Sequence, residues 1–435
     1  MLLQGIRVVE AASMVLVPSA AAMLADFGAE VIKVEPPEGD YNRKMHELPT
    51  LPQSEAPYCF LVDGRSKQSI VLDLKSTDGV AILHRLVSTT DVFLTNYRAP
   101  ALARLRLRWD DLAPLNPRLV YASASAFGES GPEADKPGYD TVVYWARSGL
   151  ESSLLTPEGT LGQLAGGAGD HPTALALFGA VALALFARER SGRGLKVGTS
   201  LLAAGAWANS WNIQAQLCGA TFPPKLPRAQ ARGFGSVYYR TRDGRMLKFA
   251  LVNPERLWPR FAHAVGRLDL TKDARFADAG ARRAHAQELI AILDAIFATE
   301  DAAHWKARLE AHDIPFAVLP TYDEVARDPQ MRANGMLVDF DHPRLGRLVT
   351  VDSPISVAGV PKAPPRAAPD LGQHTREVLT GLGYTDPQIR DFLGRASPSR
   401  DKPRGRGRLA PVAPTQGRPE DRPPRRYGAG VRPAI

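Results

Sequence analysis

The sequence predicts an α/β protein built on a doubly wound parallel sheet, and three observations carry that expectation. Residues 6–10 (IRVVE) and 31–35 (VIKVE) are short β-branched runs that bracket a helical pattern at 18–27, which Gly28 ends. Two further strand–helix repeats follow, with strands at 69–75, 91–94 and 119–124 and helices at 77–88 and 101–105. Alternation of this kind buries a parallel sheet between helices, which is the Rossmann-like pattern.

In the first unit, Val15-Leu16-Val17-Pro18 stands where a G-x-G-x-x-G turn would mark a dinucleotide site, so nicotinamide and flavin enzymes are disfavoured. Residues 36–55 form a polar loop rich in Pro. The strand at 91–94 ends in Thr95-Asn96-Tyr97-Arg98, which puts Asn96, Tyr97 and Arg98 at the carboxyl end of a parallel strand, where open α/β sheets bind ligands. A Gly/Pro-punctuated loop at 131–138 leads to a helix through Ser148, capped by Gly149. After the long helix described below, 195–202 reads as a strand or a helix start and 203–217 as one helix.

The pattern then changes. Segments 237–240 and 246–250 flank Asp243-Gly244, a hairpin signal. Helices follow at 255–265, 284–298 and 302–311, and together these make a smaller α+β domain. A second hairpin spans 337–351, and helices open near 371–375 and at 384–393. The expected organisation is a large α/β domain over 1–215, a small α+β domain over 225–325, a return to the large domain over 326–395, and a Pro/Arg-rich tail over 396–435. The tail has almost no aliphatic side chains to bury and is expected to be disordered.

A chain of 435 residues with 44% hydrophobic content suits two globular domains with extensions. The two cysteines, Cys59 and Cys218, make neither a disulfide framework nor a metal-ligand spacing, so no metal is expected and a reducing, cytoplasmic setting is, with both thiols buried. The apolar run 11–25 lacks a basic flank and is not read as a signal peptide, and no membrane partner is expected. From Arg400 onward ten cations face three acids, so about +7 of the net +8 lies in the tail and the folded body is nearly neutral. Those arginines are interleaved with only Tyr427, which offers charge without stacking platforms and argues against nucleic acid as a partner.

The stretch that organises the chain is Gly166-Gly167-Ala168-Gly169-Asp170-His171-Pro172-Thr173. It runs into the apolar segment 174–187 and stops at Arg188-Glu189-Arg190-Ser191-Gly192. Strong helix formers with small residues on every side predict a helix buried all round, with Pro172 in its first turn, Gly192 as its C-terminal cap, and Asp170 or His171 as N-cap. Capping is one role for Asp170. The other is chemical, because a carboxylate in a glycine-lined, partly desolvated pocket can serve as nucleophile or base.

Taken together, the motifs resemble the class III coenzyme A transferases (the CaiB/BaiF type). The matching residues are Gly28-Ala29-Glu30-Val31-Ile32-Lys33-Val34-Glu35, Leu72-Asp73-Leu74-Lys75, Asn96-Tyr97-Arg98, Leu115-Asn116-Pro117-Arg118, Pro137-Gly138-Tyr139-Asp140, Gly169-Asp170, Arg190-Ser191-Gly192-Arg193-Gly194 and Leu371-Gly372-Gln373-His374-Thr375. The resemblance implies a large domain made from both ends of the chain, a small middle domain, and two subunits interlocked as a homodimer. It places the nucleophile on Asp170. It also implies coenzyme A as co-substrate, with no permanently bound cofactor, held by Leu72, Asp73, Leu74, Lys75, Asn96, Tyr97, Arg98, Arg104 and Tyr139. Val15, Leu16, Gly169 and His171 then belong to the substrate pocket, His171 as a capping or pocket-lining residue.

Two departures bear on substrate. Formyl-CoA transferases carry glutamine where this chain has Val15, and no four-glycine loop follows in the middle region, where Gly233-Phe234-Gly235 is the nearest segment. A bulkier, more apolar acyl group is therefore expected. The implied reaction moves CoA from an acyl-CoA to a carboxylic acid through an aspartyl mixed anhydride and an aspartyl-CoA thioester. The alternative within the same family is an α-methylacyl-CoA racemase, which works by a His–Asp pair. Its histidine would fall near Tyr139, and a phenol of pKa around 10 is a poor proton acceptor at neutral pH. A further alternative is a non-catalytic binding protein acting through the basic tail.

Overall fold

The structure, a computed structural model, describes residues 1–396 other than 161 and 163. The expectation for the tail falls outside these residues from 397 onward. Six parallel strands form the central sheet: β1 (Arg7–Ala11), β2 (Glu30–Glu35), β3 (Gln68–Val71), β4 (Val92–Thr95), β5 (Val120–Ser125) and β6 (Lys196–Ser200), in the order β3-β2-β1-β4-β5-β6. The order reverses between β1 and β4. At such a switch point the loops leaving the two strands diverge to opposite faces and open a crevice.

Helices cover both faces. They are α1 (Leu16–Asp26), α2 (Tyr58–Asp63), α3 (Thr77–Val87), α4 (Ala99–Leu105), α5 (Trp109–Leu112), α6 (Leu150–Leu154), α7 (Asp170–Ser191), α8 (Leu201–Ala208) and α9 (Ser210–Leu217). The central strand β4 (VFLT) is buried along its whole length and reads as a continuous apolar run, whereas the edge strand β6 (KVGTS) alternates exposed and half-buried residues before Ser200. On one face Val8, Val92, Leu94 and Val120 pack against α1 and α7. On the other, Val9, Ile32, Ile70 and Phe93 pack against α3 and α4, together with Leu379, Ile389 and Phe392 from the helices Thr375–Gly381 and Asp386–Ala396.

A separate antiparallel sheet of β7 (Tyr239–Arg240), β8 (Met246–Phe249) and β9 (Phe316–Val318) turns at Asp243-Gly244 as expected, and β9 adds a third strand to the predicted hairpin. Its core is aromatic, with Phe249, Trp258, Phe261, Phe297 and Trp305 gathered from β8 and the helices α10 (Pro254–Ala264), α12 (Ala286–Phe297) and α13 (Ala302–Ala311), while α11 (Ala279–Ala284) adds none of them. The second hairpin, β10 (Leu337–His342) with β11 (Gly346–Val351), forms a separate two-stranded sheet.

Several expectations are corrected. The strand predicted at 69–75 stops at Val71, so Leu72 to Lys75 lie beyond it, where Asp73 turns the chain into α3 by accepting from Ser76. The helix predicted over 203–217 breaks at Asn209, whose amide side chain reaches back to the Ser148 carbonyl. Residues 141–147 wind as a π-helix. The thiols are not both buried: Cys59 is half-buried and Cys218, capping α9, is exposed.

The long helix is not buried all round. α7 is the one described helix long and apolar enough to cross a bilayer, yet it buries Ala174, Leu177, Val181 and Leu185 against the sheet. Its other side exposes Leu175, Leu183 and Phe186, the last two at 71% and 57%. The all-round apolar sequence therefore exceeds what this chain's own core consumes.

Candidate active site

The loops leaving β1 and β4 are tied together at the switch point. Asn96 accepts from the Ser13 N–H at 3.1 Å through its carbonyl oxygen and donates to the Ser13 carbonyl at 2.7 Å. Next to it, Met14 is held at φ 68°, a left-handed conformation costly for a side-chain-bearing residue. Asp40 accepts from its N–H and Asn42 donates to its carbonyl, at 3.0 and 2.9 Å. Behind this clamp lies a buried ion cluster, in which Lys33 contacts Glu10 and Asp40, both at 2.7 Å, and Lys67 contacts Glu10 at 2.6 Å. Burial by itself would depress the Lys33 ammonium, and the carboxylates of Glu10, Asp40 and Glu35 overcome it and raise its pKa.

Above the switch point opens a cleft of about 570 Å³. Met14, Val15 and Leu16 line it from the first loop, Asn96, Tyr97 and Arg98 from the second, and Tyr139 and Asp170 from the far side. Four cations border it, Arg98, Arg108, Lys136 and Lys196, with the rings of Trp109 and Tyr121 between.

Asp170 is the first residue of α7, and the N-cap is Gly169, in helical rather than extended conformation. The expectation that Asp170 or His171 caps the helix is thus overturned. The helix begins one residue too early, with the His171 N–H on the Gly167 carbonyl, and no side chain caps the end. Among the described residues no backbone N–H donates to the Asp170 carboxylate, which lines the cleft, and the Gly169 N–H donates to Asp140 at 3.1 Å. Gly169 must be glycine, since a Cβ there would lie 2.7 Å from the buried Tyr144 ring. Partial burial raises the Asp170 pKa to about 7, the Asp140 and Asp63 carboxylates push the same way, and His171 opposes them.

The predicted site residues divide into two groups. Val15, Leu16, Asn96, Tyr97, Arg98, Tyr139 and Asp170 meet around the cleft, and Gly169 precedes Asp170 as the helix N-cap without lining it. Leu72, Asp73, Leu74, Lys75, Arg104 and His171 do not line it. Leu72 is a fully buried core side chain, so a ligand can meet only its backbone, and Lys75 and Arg104 are exposed. His171 turns away from Asp170, as neighbours at a helix start do, and meets Asp63. Sequence reasoning missed Arg108, Lys136 and Lys196, ordinary surface cations by local pattern. It also missed Asp63, whose only signal is an acid closing the apolar run Tyr58–Asp63. Among the described residues no group of three or more His, Cys, Asp or Glu side chains could hold a metal ion.

Comparisons with known proteins fit this geometry. The family description "CoA-transferase family III" matches residues 3–375. The (R)-2-hydroxy-4-methylpentanoate CoA-transferase of Clostridioides difficile is 33% identical over 396 residues, which is 90% of this chain and 98% of that protein. The cinnamoyl-CoA:phenyllactate CoA-transferase of Clostridium sporogenes is 30% identical, over 89% of this chain and 95% of its own length. Among solved structures, a CAIB/BAIF family protein from Brucella suis superposes with a TM-score of 0.76 at 26% identity, covering 87% of this chain and 99% of that one. With the parallel sheet, the switch-point cleft and a match across most of its length, the chain belongs to CoA-transferase family III.

Proposed function

We propose that this CoA-transferase moves coenzyme A from an acyl-CoA thioester to a carboxylic acid by covalent catalysis on Asp170. The observation that carries the reading is one free carboxylate, half-buried in the cleft, with its pKa near 7. It is ionised in part at neutral pH and more basic, hence more nucleophilic, than an exposed aspartate.

An Asp170 oxygen attacks the thioester carbonyl, the C–S bond breaks, and CoA thiolate leaves a mixed anhydride. The thiolate then attacks the aspartyl carbonyl and expels the donor's carboxylate, which leaves an aspartyl-CoA thioester. The acceptor carboxylate attacks that carbonyl and displaces thiolate, and the thiolate takes the acceptor acyl group from the second anhydride, freeing Asp170. Arg98, Arg108, Lys136 and Lys196 suit the phosphates of coenzyme A, and Tyr97, Trp109 and Tyr139 offer surfaces for its adenine. Met14, Val15 and Leu16 favour an apolar acyl group, in keeping with the branched and aromatic acids that the two relatives' names carry.

The working unit in this reading is a homodimer. The exposed side of α7, with Trp207, Trp211 and Leu217 of α8 and α9 at 81%, 91% and 74% exposure, is an apolar surface that a second copy would cover.

The test is mass spectrometry of the protein incubated with a panel of acyl-CoAs, with hydroxylamine trapping. A hydroxamate on the Asp170 peptide, lost in Asp170→Asn, supports the transfer. An unmodified Asp170, with solvent deuterium entering the α-position of a 2-methylacyl-CoA, would replace it with the racemase reaction.

A further inference from the structure

The side chain of His171 is placed between two acceptors. Its Nδ1 lies 2.9 Å from the carbonyl oxygen of Gly167, and its Nε2 lies 3.3 Å from Oδ1 of Asp63. A neutral imidazole carries one N–H and can satisfy only one of them, leaving a lone pair against an oxygen. The doubly protonated ring satisfies both. Asp63 is itself immobilised: it is 3% exposed, Ser19 of α1 donates to it at 2.7 Å, and Asn42 donates at 3.0 Å.

We propose that His171 is a positioning residue held as an imidazolium by Asp63 and the Gly167 carbonyl, whose charge keeps the adjacent Asp170 carboxylate ionised for attack. This rests on Asp170 being the reactive group. The role differs from that of a proton-transferring histidine, because the ring faces away from the cleft.

The charges around the pair agree. Asp170 is faced by Asp140, from the loop ahead of residues 141–147, and by Asp63 from α2, and both disfavour its ionised form. His171 is the one nearby group that favours it. His171 in turn is raised, first by its hydrogen bond to Asp63. Cys59, one turn earlier on α2, adds no charge, since burial and Asp63 both push its thiol up. Asp63 therefore acts mainly through the cation it holds. The same ring also fixes the loop at Gly167, whose φ of 72° is left-handed, so His171 couples the loop's conformation to the ionisation of Asp170.

Two measurements without substrate test this. In protein labelled with 13C at histidine Cε1, the His171 signal, assigned from its loss in His171→Gln, should titrate with a midpoint above that of a free imidazole. In protein labelled at aspartate Cγ, the Asp170 signal, assigned with Asp170→Asn, should move its midpoint up by about one pH unit in His171→Gln. His171→Lys should return it most of the way. If an active acyl-CoA has been found, the acidic limb of kcat/KM should shift by the same unit, about tenfold loss at pH 6 and little at pH 9. A His171 ring that titrates no higher than a free imidazole, or an Asp170 midpoint unmoved in the variant, overturns the proposal. A loop-fixing role alone would lower activity equally at every pH and leave the Asp170 midpoint in place. These readings need no turnover, so they stand apart from any failure of the transfer reaction itself. Should His171→Gln not fold, the wild-type histidine midpoint, assigned with His171→Asn, decides.

Discussion

Substituting Gly169 by alanine tests the geometry beneath the nucleophile. A Cβ at this position would sit 2.7 Å from Cγ, 2.8 Å from Cβ and 2.8 Å from Cδ1 of Tyr144, closer than side-chain carbons tolerate. Tyr144 cannot easily retreat. It is 6% exposed, its carbonyl accepts from Ser148, and a Cβ on Gly205 would lie only 2.3 Å from that same carbonyl, so α8 already presses on it. Overpacking of this kind costs about 1–3 kcal/mol, which lowers Tm by several degrees. Displacing α7's first residue by even ~1 Å would cost on the order of 10²-fold in turnover, because attack depends on alignment. The backbone itself is not strained there, since φ of Gly169 is −94°. Differential scanning calorimetry and CoA-transfer kinetics on the same preparation read both effects. Gly394→Ala supplies the control, as its Cβ would meet nothing within 4 Å in the helix Asp386–Ala396. That variant should match the wild type or gain up to about 1 kcal/mol. If Gly169→Ala also melts and turns over like the wild type, the close approach of α7 to Tyr144 is wrong.

The remaining predictions concern charge and assembly. Because Asp170 has its pKa raised from 3.8 to about 7, the folded state holds a proton that the unfolded chain has released between those values, so this group removes stability as pH rises through them. Asp170→Asn should therefore raise Tm at pH 8 and leave it nearly unchanged at pH 4, and an equal gain at both would contradict the perturbed carboxyl. Lys33→Met, which strips Asp40 of its cation and leaves Glu10 with Lys67 alone, should cost about 3–5 kcal/mol by urea unfolding, and a loss under about 1 kcal/mol would mean the cluster is not buried as an ion network. If the proposed dimer forms through α7, Leu183→Glu with Phe186→Glu should leave the fold intact by circular dichroism while turning a dimeric mass into a monomeric one by light scattering; a monomeric wild type or an unchanged mass would refute that interface.

The α/β class and strand positions were legible because both depend on local periodicity. Runs such as Val31–Glu35 can only be buried strands, and Gly28 and Gly192 end helices by their own conformational freedom. Asp170 could be singled out for the same reason, since a glycine-rich approach to an apolar helix is written in consecutive residues. The family followed from motifs kept in order along the chain.

What consecutive residues do not encode is which distant atoms meet. Lys33 and Glu10 look like polar interruptions of strands until the pairing of β1 with β2 stacks them in the interior. Asp63 and His171 are 108 positions apart and carry no shared pattern, yet the packing of α2 beside the start of α7 makes them partners. The helix α7 likewise starts at Asp170 with Gly169 as its N-cap, and Asp140, brought in by another segment, takes up the Gly169 N–H. Local sequence thus determined the elements and presented the carboxylate. The tertiary structure decided its burial, its neighbours and so its charge, because solvation and Coulomb interaction depend on distance in space and not along the chain.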